Sequence, residues 1–218
     1  MITNFLHHQT FQWGPHQIKL CIPDSRYIQR LYRDQKHSDP KTPFPYWTQV
    51  WPAALAMTEF LVTQPGYVRG KKVLEIAAGL GLPSLVAAQW AEEVHCSDYL
   101  PEAVAVIEQS VVQNALTNVK PLVLDWNHIP ADLPFDVLLV SDINYDPSQF
   151  AILYDVLHQF WKKGATIILS TPQRLMAKPF VEKILPLAEK VEEVVVRPYE
   201  ERIAISLFVL REIEQKIA

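Results

Sequence analysis

Apolar residues along the chain repeat with two periods, and their succession predicts most of the secondary structure. Ile18, Leu20 and Ile22 alternate with Lys19 and Cys21 behind the turn Trp13-Gly14-Pro15, which predicts a short hairpin. Ser25 to Asp34 reads as a helix, and Lys36 to Pro45, polar and broken by Pro40 and Pro43, as a loop. Pro52 suits the first turn of a helix running to about Val62. An apolar run from Val73 to Ile76 predicts a strand, and Pro83 opens an Ala-rich helical pattern through Ala91. Val94 to Ser97 is a second strand, and the helix from Pro101 carries Val104, Ile107, Val111 and Ala115 on one face. Strands follow at Val119 to Leu124 and Leu133 to Ser141, then a helix from Pro147 to Trp161 and a strand from Ala165 to Ser170. A helix from Ala177 to Glu189 precedes strands Val191 to Val196 and Ile203 to Leu210, which the short link Arg197 to Arg202 allows to pair as a hairpin. Strands alternating with helices predict an α/β fold, a doubly wound seven-stranded sheet whose last strand is antiparallel. Residues 1–45 are expected to form a hairpin-and-helix extension packed on a core domain of residues 46–218.

Composition narrows the class. The 218 residues, 49% hydrophobic and 20% charged, suffice for one large domain with a sizeable core and exclude wholesale disorder. A net charge of -4 gives no global basic field to draw the protein to nucleic acid. Two cysteines, Cys21 and Cys96, allow at most one bridge, and with Cys96 inside a predicted core strand a reducing compartment is expected. No run approaches the roughly 18 apolar residues of a membrane span, and the first residues lack a basic, then apolar, targeting pattern. A cytoplasmic monomer is therefore expected, with a solvated tail after Leu210. His7, His8, His16 and His37 lack metal-ligand spacing, so no metal site is expected.

Candidate chemistry sits at the predicted strand ends. After Glu75 the chain reads Ala77-Ala78-Gly79-Leu80-Gly81, a turn holding two of the six glycines, which lets backbone approach a ligand closely. The next strand ends in Asp98, at the spacing where an acid reaches the hydroxyls of a ribose. Together these read as a nucleoside-binding β-α-β-α unit. Ala77 stands where the dinucleotide fingerprint has its first glycine, so pyrophosphate is not demanded.

Glu75-x-x-x-Gly79-x-Gly81 with Asp98 resembles motif I and the following acidic motif of class I, seven-strand S-adenosylmethionine-dependent methyltransferases, which have a Rossmann-like fold. The departure at Ala77 is tolerable if that position stays clear of the ligand. Trp47 and Trp51 either plug the base of the hairpin or present their faces to a pocket, where an aromatic ring attracts a sulfonium or ammonium by about 0.5–2 kcal/mol. Their segment is similar to the one that covers the cofactor in seven-strand protein lysine methyltransferases. Asp125 either caps a turn or, as the resemblance implies, accepts from the adenine amino group while Trp126 flanks the ring. Asp142-x-x-Tyr145 resembles the D-x-x-Y motif of the lysine-directed branch, methyltransferase family 16, related to nicotinamide N-methyltransferases. The resemblance implies catalytic roles for Asp142 and Tyr145 and cofactor contacts for Trp51, Glu75, Gly79, Gly81, Asp98, Asp125 and Trp126. Trp47 and Asn144 would meet the substrate.

The expected function is methyl transfer from S-adenosylmethionine to a protein lysine. A small amine or heterocycle is an alternative acceptor, and a non-catalytic nucleotide-binding scaffold is an alternative of a different class. Lysine, with a reference pKa of about 10.4, must lose a proton before it attacks, and a carboxylate such as Asp142 both orients the amine and favours its charged form.

Overall fold

The computed structural model describes residues 2–130, 133–198 and 201–212. The chain opens with a hairpin of β1 (Leu6–Trp13) and β2 (His16–Pro23), then helix α1 (Ser25–Ser38) and helix α2 (Pro52–Thr63). The β-α alternation follows: β3 (Lys72–Ile76), α3 (Leu82–Ala87), β4 (Glu93–Asp98), α4 (Pro101–Gln113), β5 (Val119–Val123), β6 (Val137–Ser141), α5 (Phe150–Lys162) and β7 (Thr166–Pro172). It ends with α6 (Lys178–Ile184), β8 (Ala188–Val196) and β9 (Ile203–Leu210).

Seven strands form one sheet in the order β5-β4-β3-β6-β7-β9-β8, with β9 antiparallel to both neighbours and the rest parallel. The central strands bury side chains on both faces, which is why they read as continuous apolar runs. Val73, Leu139 and Ile168 pack under α2 with Met57, Phe60 and Leu61. Their neighbours Leu74, Leu138 and Ile167 point the other way, onto Leu153, Leu157 and Phe160 of α5 and Phe180 of α6. From β3 the chain winds outward to β5, then crosses back to β6 on the opposite side. The reversal opens a crevice outside the carboxyl ends of β3 and β6, where ligands of open α/β sheets bind.

The hairpin forms its own two-stranded sheet against α4. Asn114 exchanges hydrogen bonds with the Lys19 backbone, Oδ1 accepting at 2.9 Å and Nδ2 donating at 2.7 Å, and the Cys21 N–H donates to Ser110 Oγ at 3.0 Å. Ile18 and Leu20 are buried against Leu82, Leu85 and Val106.

Several boundaries differ from expectation for local reasons. Helix α1 runs on to Ser38, since no breaker intervenes before Pro40. Helix α3 stops at Ala87, and α6 stops at Ile184, where Pro186 withdraws an N–H from the ladder. The alternating strand β8 begins three residues earlier than Val191, at Ala188. Beyond Glu212 the expected solvated tail lies outside the described residues, as do residues 199–200 of the expected β8–β9 link.

Candidate active site

Three left-handed residues shape the turn after β3: Ala77 at φ 50°, Gly79 at 58° and Gly81 at 73°. Gly81 has a packing reason as well, because a Cβ there would lie 2.6 Å from Cys96 Sγ. At Gly79 a Cβ would come into van der Waals contact with the Trp47 backbone, 3.4 Å from its carbonyl oxygen. Ala77 lines the cleft and so is not clear of whatever fills it, and its left-handed backbone costs about 1–2 kcal/mol that a glycine would avoid. Since α3 has only six residues, the turn's own geometry matters more here than a helix dipole.

Two carboxylates fix this turn. Glu75, fully buried, accepts from both the Ser84 N–H at 2.9 Å and the Ser84 hydroxyl at 2.5 Å, tying β3 to α3 behind the cleft. Burial pushes its carboxyl up to about 8, against the opposing Ser84 hydrogen bonds. Asp98 accepts from the Gly79 N–H and the Leu100 N–H, each at 3.0 Å, so it clamps the turn to the start of α4 while lining the cleft. Burial raises its carboxyl too, and the amides oppose the rise.

The cleft has a volume of about 760 Å³ and reaches from this turn to the carboxyl end of β6. Its outer wall is aromatic. Trp51 donates its indole N–H to the Tyr46 carbonyl at 2.8 Å, and the Tyr46 ring lies 6.0 Å from Trp51, 5.7 Å from Tyr145 and 5.0 Å from Phe44. At the far end Asp142, at φ 55°, donates its N–H to the Ser170 carbonyl at 2.9 Å. Its carboxylate, 8% exposed, is gripped by Arg174 through a two-pronged pair, Nη1 to Oδ1 and Nη2 to Oδ2, the latter at 3.0 Å. Burial raises the Asp142 carboxyl and Arg174 opposes this. Tyr145 is 51% exposed at the mouth, and partial burial raises its hydroxyl above the ordinary value.

The fold thus brings Trp47, Trp51, Gly79, Gly81, Asp98, Asp142 and Tyr145 around one cleft. Glu75 stands behind it. Asn144 is buried off the cleft lining, its Oδ1 accepting from the Thr171 hydroxyl at 2.7 Å. Asp125 and Trp126 also lie off the lining. Asp125 caps the turn after β5, accepting from the Asn127 N–H at 2.9 Å and pairing with His128, and Trp126 packs on the α5 side of the core. Sequence reasoning missed Tyr46 and Arg174. Tyr46 carried a signal, an aromatic adjoining Trp47; Arg174 carried none, since only the β6–β7 register sets it beside Asp142. Among the described residues no three His, Cys, Asp or Glu side chains converge as metal ligands, and no helix is long and apolar enough to cross a membrane.

Comparison with known proteins agrees with the geometry. Residues 46–185 match the family model described as lysine methyltransferase. Human histone-arginine methyltransferase METTL23 is 36% identical over 120 residues, 50% of this chain and 63% of that protein. Mouse EEF1A lysine methyltransferase 3 is 31% identical over 166 residues, 71% of each chain. Across the human, rat and mouse METTL23 proteins the chain spans 63%, 57% and 51% of their lengths. The fold matches N-methyltransferase NodS from Bradyrhizobium japonicum in complex with S-adenosyl-L-homocysteine, at TM-score 0.57 and 15% identity over 82% of this chain and 97% of that one. It also matches the T. thermophilus 16S rRNA N2 G1207 methyltransferase RsmC, at TM-score 0.61 and 17% identity over 96% and 51%. With a glycine turn clamped by Asp98 at one end of the cleft, Asp142 and Tyr145 at the other, and the family model spanning both, the chain belongs to the lysine methyltransferase family.

Proposed function

We propose that this protein is an S-adenosylmethionine-dependent methyltransferase that N-methylates a lysine side chain of a protein substrate. The observation that carries the reading is the pairing, in one cleft, of the Asp98-clamped turn with Asp142 under an aromatic wall. The residues present fit the cofactor. The backbone at Gly79 and Gly81 itself lines the cleft, and Asp98 offers a fixed acceptor for ribose hydroxyls. The faces of Tyr46, Trp51 and Tyr145 suit a cation. When bound, the cofactor supplies a methyl carbon on a positively charged sulfur, open to direct displacement. The protein's share is alignment and exclusion of water: the aromatic wall encloses the acceptor, and Asp142 holds an N–H of the acceptor nitrogen at a carboxylate oxygen. Cys21 and Cys96, both buried and neither in a disulfide, support a reducing setting, and we propose that the protein is a cytoplasmic monomer.

The test is transfer of label from tritiated S-adenosylmethionine into cell-extract protein, followed by amino-acid analysis. Methyllysine is expected. Label confined to small molecules would move the acceptor to a free amine or heterocycle, methylarginine would move it to the acceptor named for the METTL23 relatives, and no label at all refutes the reading. Asp142→Asn separates chemistry from cofactor binding, since asparagine tolerates φ 55° and keeps the size while losing the charge. The acceptor kcat/KM should fall by about 10²-fold, or about 2.7 kcal/mol of transition-state stabilisation, with the cofactor Kd nearly unchanged. Turnover per folded molecule equal to wild type would remove Asp142 from the chemistry.

A further inference from the structure

Arg174 is the sole cation lining the cleft among the described residues, and the hydrogen bonds of its guanidinium run to Asp142. It reaches that carboxylate from the segment after β7, because Ser141 and Ser170 are register partners and set the ends of β6 and β7 side by side. Both side chains line the cleft, and Arg174, 31% exposed against 8% for Asp142, is the more open member of the pair. A guanidinium has five N–H donors, and a two-pronged pair uses two of them and leaves carboxylate lone pairs free.

This arrangement bears on the conflict in the chemistry. A bare carboxylate beside the acceptor would stabilise an ammonium ion, the form that has no lone pair for attack. A carboxylate already neutralised by a guanidinium can accept a hydrogen bond without that effect. We propose that Arg174 is a positioning residue for the transfer: it fixes Asp142 and cancels its charge, so that the cleft selects the acceptor nitrogen as a neutral amine. The inference rests on the function proposed above. Other ionisable groups facing the cleft are Asp98 at the end of β4 and Tyr99 after it, Glu102 on α4, Tyr32 on α1, Tyr46 before α2 and Tyr145 after β6, with Asp146 beside Tyr145. The three acids all favour the ammonium, so nothing else there does the compensating.

The experiment compares wild type, Arg174→Gln and Arg174→Lys, measuring kcat against pH with the acceptor protein, cofactor Kd by calorimetry, and thermal stability. Loss of the guanidinium leaves two possibilities: Asp142 stays charged and holds the acceptor protonated, or it becomes protonated itself. Both move the rise of kcat to higher pH. In Arg174→Gln the rise should shift up by about one pH unit or more, with kcat down about tenfold or more at neutral pH and recovering at alkaline pH. Arg174→Lys should restore most of the wild-type profile, and the cofactor Kd should stay within about twofold. A kcat scaled down equally at every pH overturns the inference, as does a raised cofactor Kd with an unmoved profile. Carbon-13 NMR of the Asp142 carboxyl reads the pair with no acceptor present, and its midpoint should rise in Arg174→Gln. An unmoved midpoint overturns the inference even where methyl transfer is seen. A moved midpoint in a protein that transfers no methyl group refutes the proposed function and leaves the pairing standing.

Discussion

Replacing Gly81 with alanine tests how tightly the cofactor turn is built. The backbone sits at φ 73°, and a Cβ there would meet Cys96 Sγ at 2.6 Å and Ile107 Cγ1 at 3.4 Å. Left-handed backbone costs an alanine about 1–2 kcal/mol, and forcing a methyl into a filled core costs about 1–3 kcal/mol more. Gly81→Ala should therefore destabilise by about 2–5 kcal/mol, which in a chain of this size lowers Tm by roughly 4–20 °C. Cys96 is fully buried and cannot swing aside into solvent. Removing its sulfur separates the two contributions. In a Cys96→Ala background, Gly81→Ala should cost only the backbone part, about 1–2 kcal/mol, so urea denaturation of the two single variants, the double variant and wild type should give a coupling energy of about 1–3 kcal/mol. Additivity within about 0.5 kcal/mol would refute the argument, because it would show that the turn yields rather than the core.

Two further outcomes follow from the acids that hold the turn. Glu75 titrates at about 8 when folded against an ordinary value of 4.5, so the folded state holds its proton more tightly. Its contribution to stability is fully present below pH 4.5 and is lost as pH rises through about 8. Glu75→Gln, which keeps an oxygen for Ser84, should flatten that fall in urea-denaturation stability, and an unchanged pH slope would show that Glu75 ionises freely in the fold. Asp98→Ala removes the proposed charge-assisted acceptor to ribose, worth about 1.5–3 kcal/mol, and should raise the cofactor Kd by about tenfold or more. It also strips the Gly79 and Leu100 N–H groups of their acceptor, at about 1–3 kcal/mol of stability. Calorimetry with S-adenosylmethionine, with NAD as the control that should not bind in preference, reads the first effect. An unchanged Kd with lower Tm would leave Asp98 as a clamp of the turn alone.

The parts of the fold legible in the sequence were those whose cause is local. Strands β6 and β7 announce themselves through the apolar runs at residues 137–140 and 167–169, although β6 begins at Val137 rather than Leu133; β3 does so despite its buried Glu75, and β9 is found to the residue, Ile203–Leu210. Strand β8 was partly hidden for the opposite reason. It is the outer strand, its residues alternate between exposed and half-buried, and Glu189, Lys190, Glu192 and Glu193 give it the composition of a solvated helix. Only its ladder with β9 makes it a strand, and that ladder joins residues the local pattern does not connect.

The site divides in the same way. Gly79 and Gly81 were readable because a positive φ is a property of one residue, and Asp98 because the strand it ends and the turn it clamps are near in sequence. Asp125, read either as a turn cap or as an adenine acceptor, lies off the cleft lining on the edge strand β5, two positions from β3, and closes its own turn. Arg174 was unreadable because its meaning depends on a parallel register: without Ser141 opposite Ser170, it is one cation among the chain's 20 lysines and arginines. The same register decides what Asp142 can do. Read from sequence it is a lone carboxylate whose charge would hold a lysine protonated; read in the sheet it is half of a neutral pair, and the D-x-x-Y spacing becomes compatible with attack by a free amine only through a residue the motif does not contain.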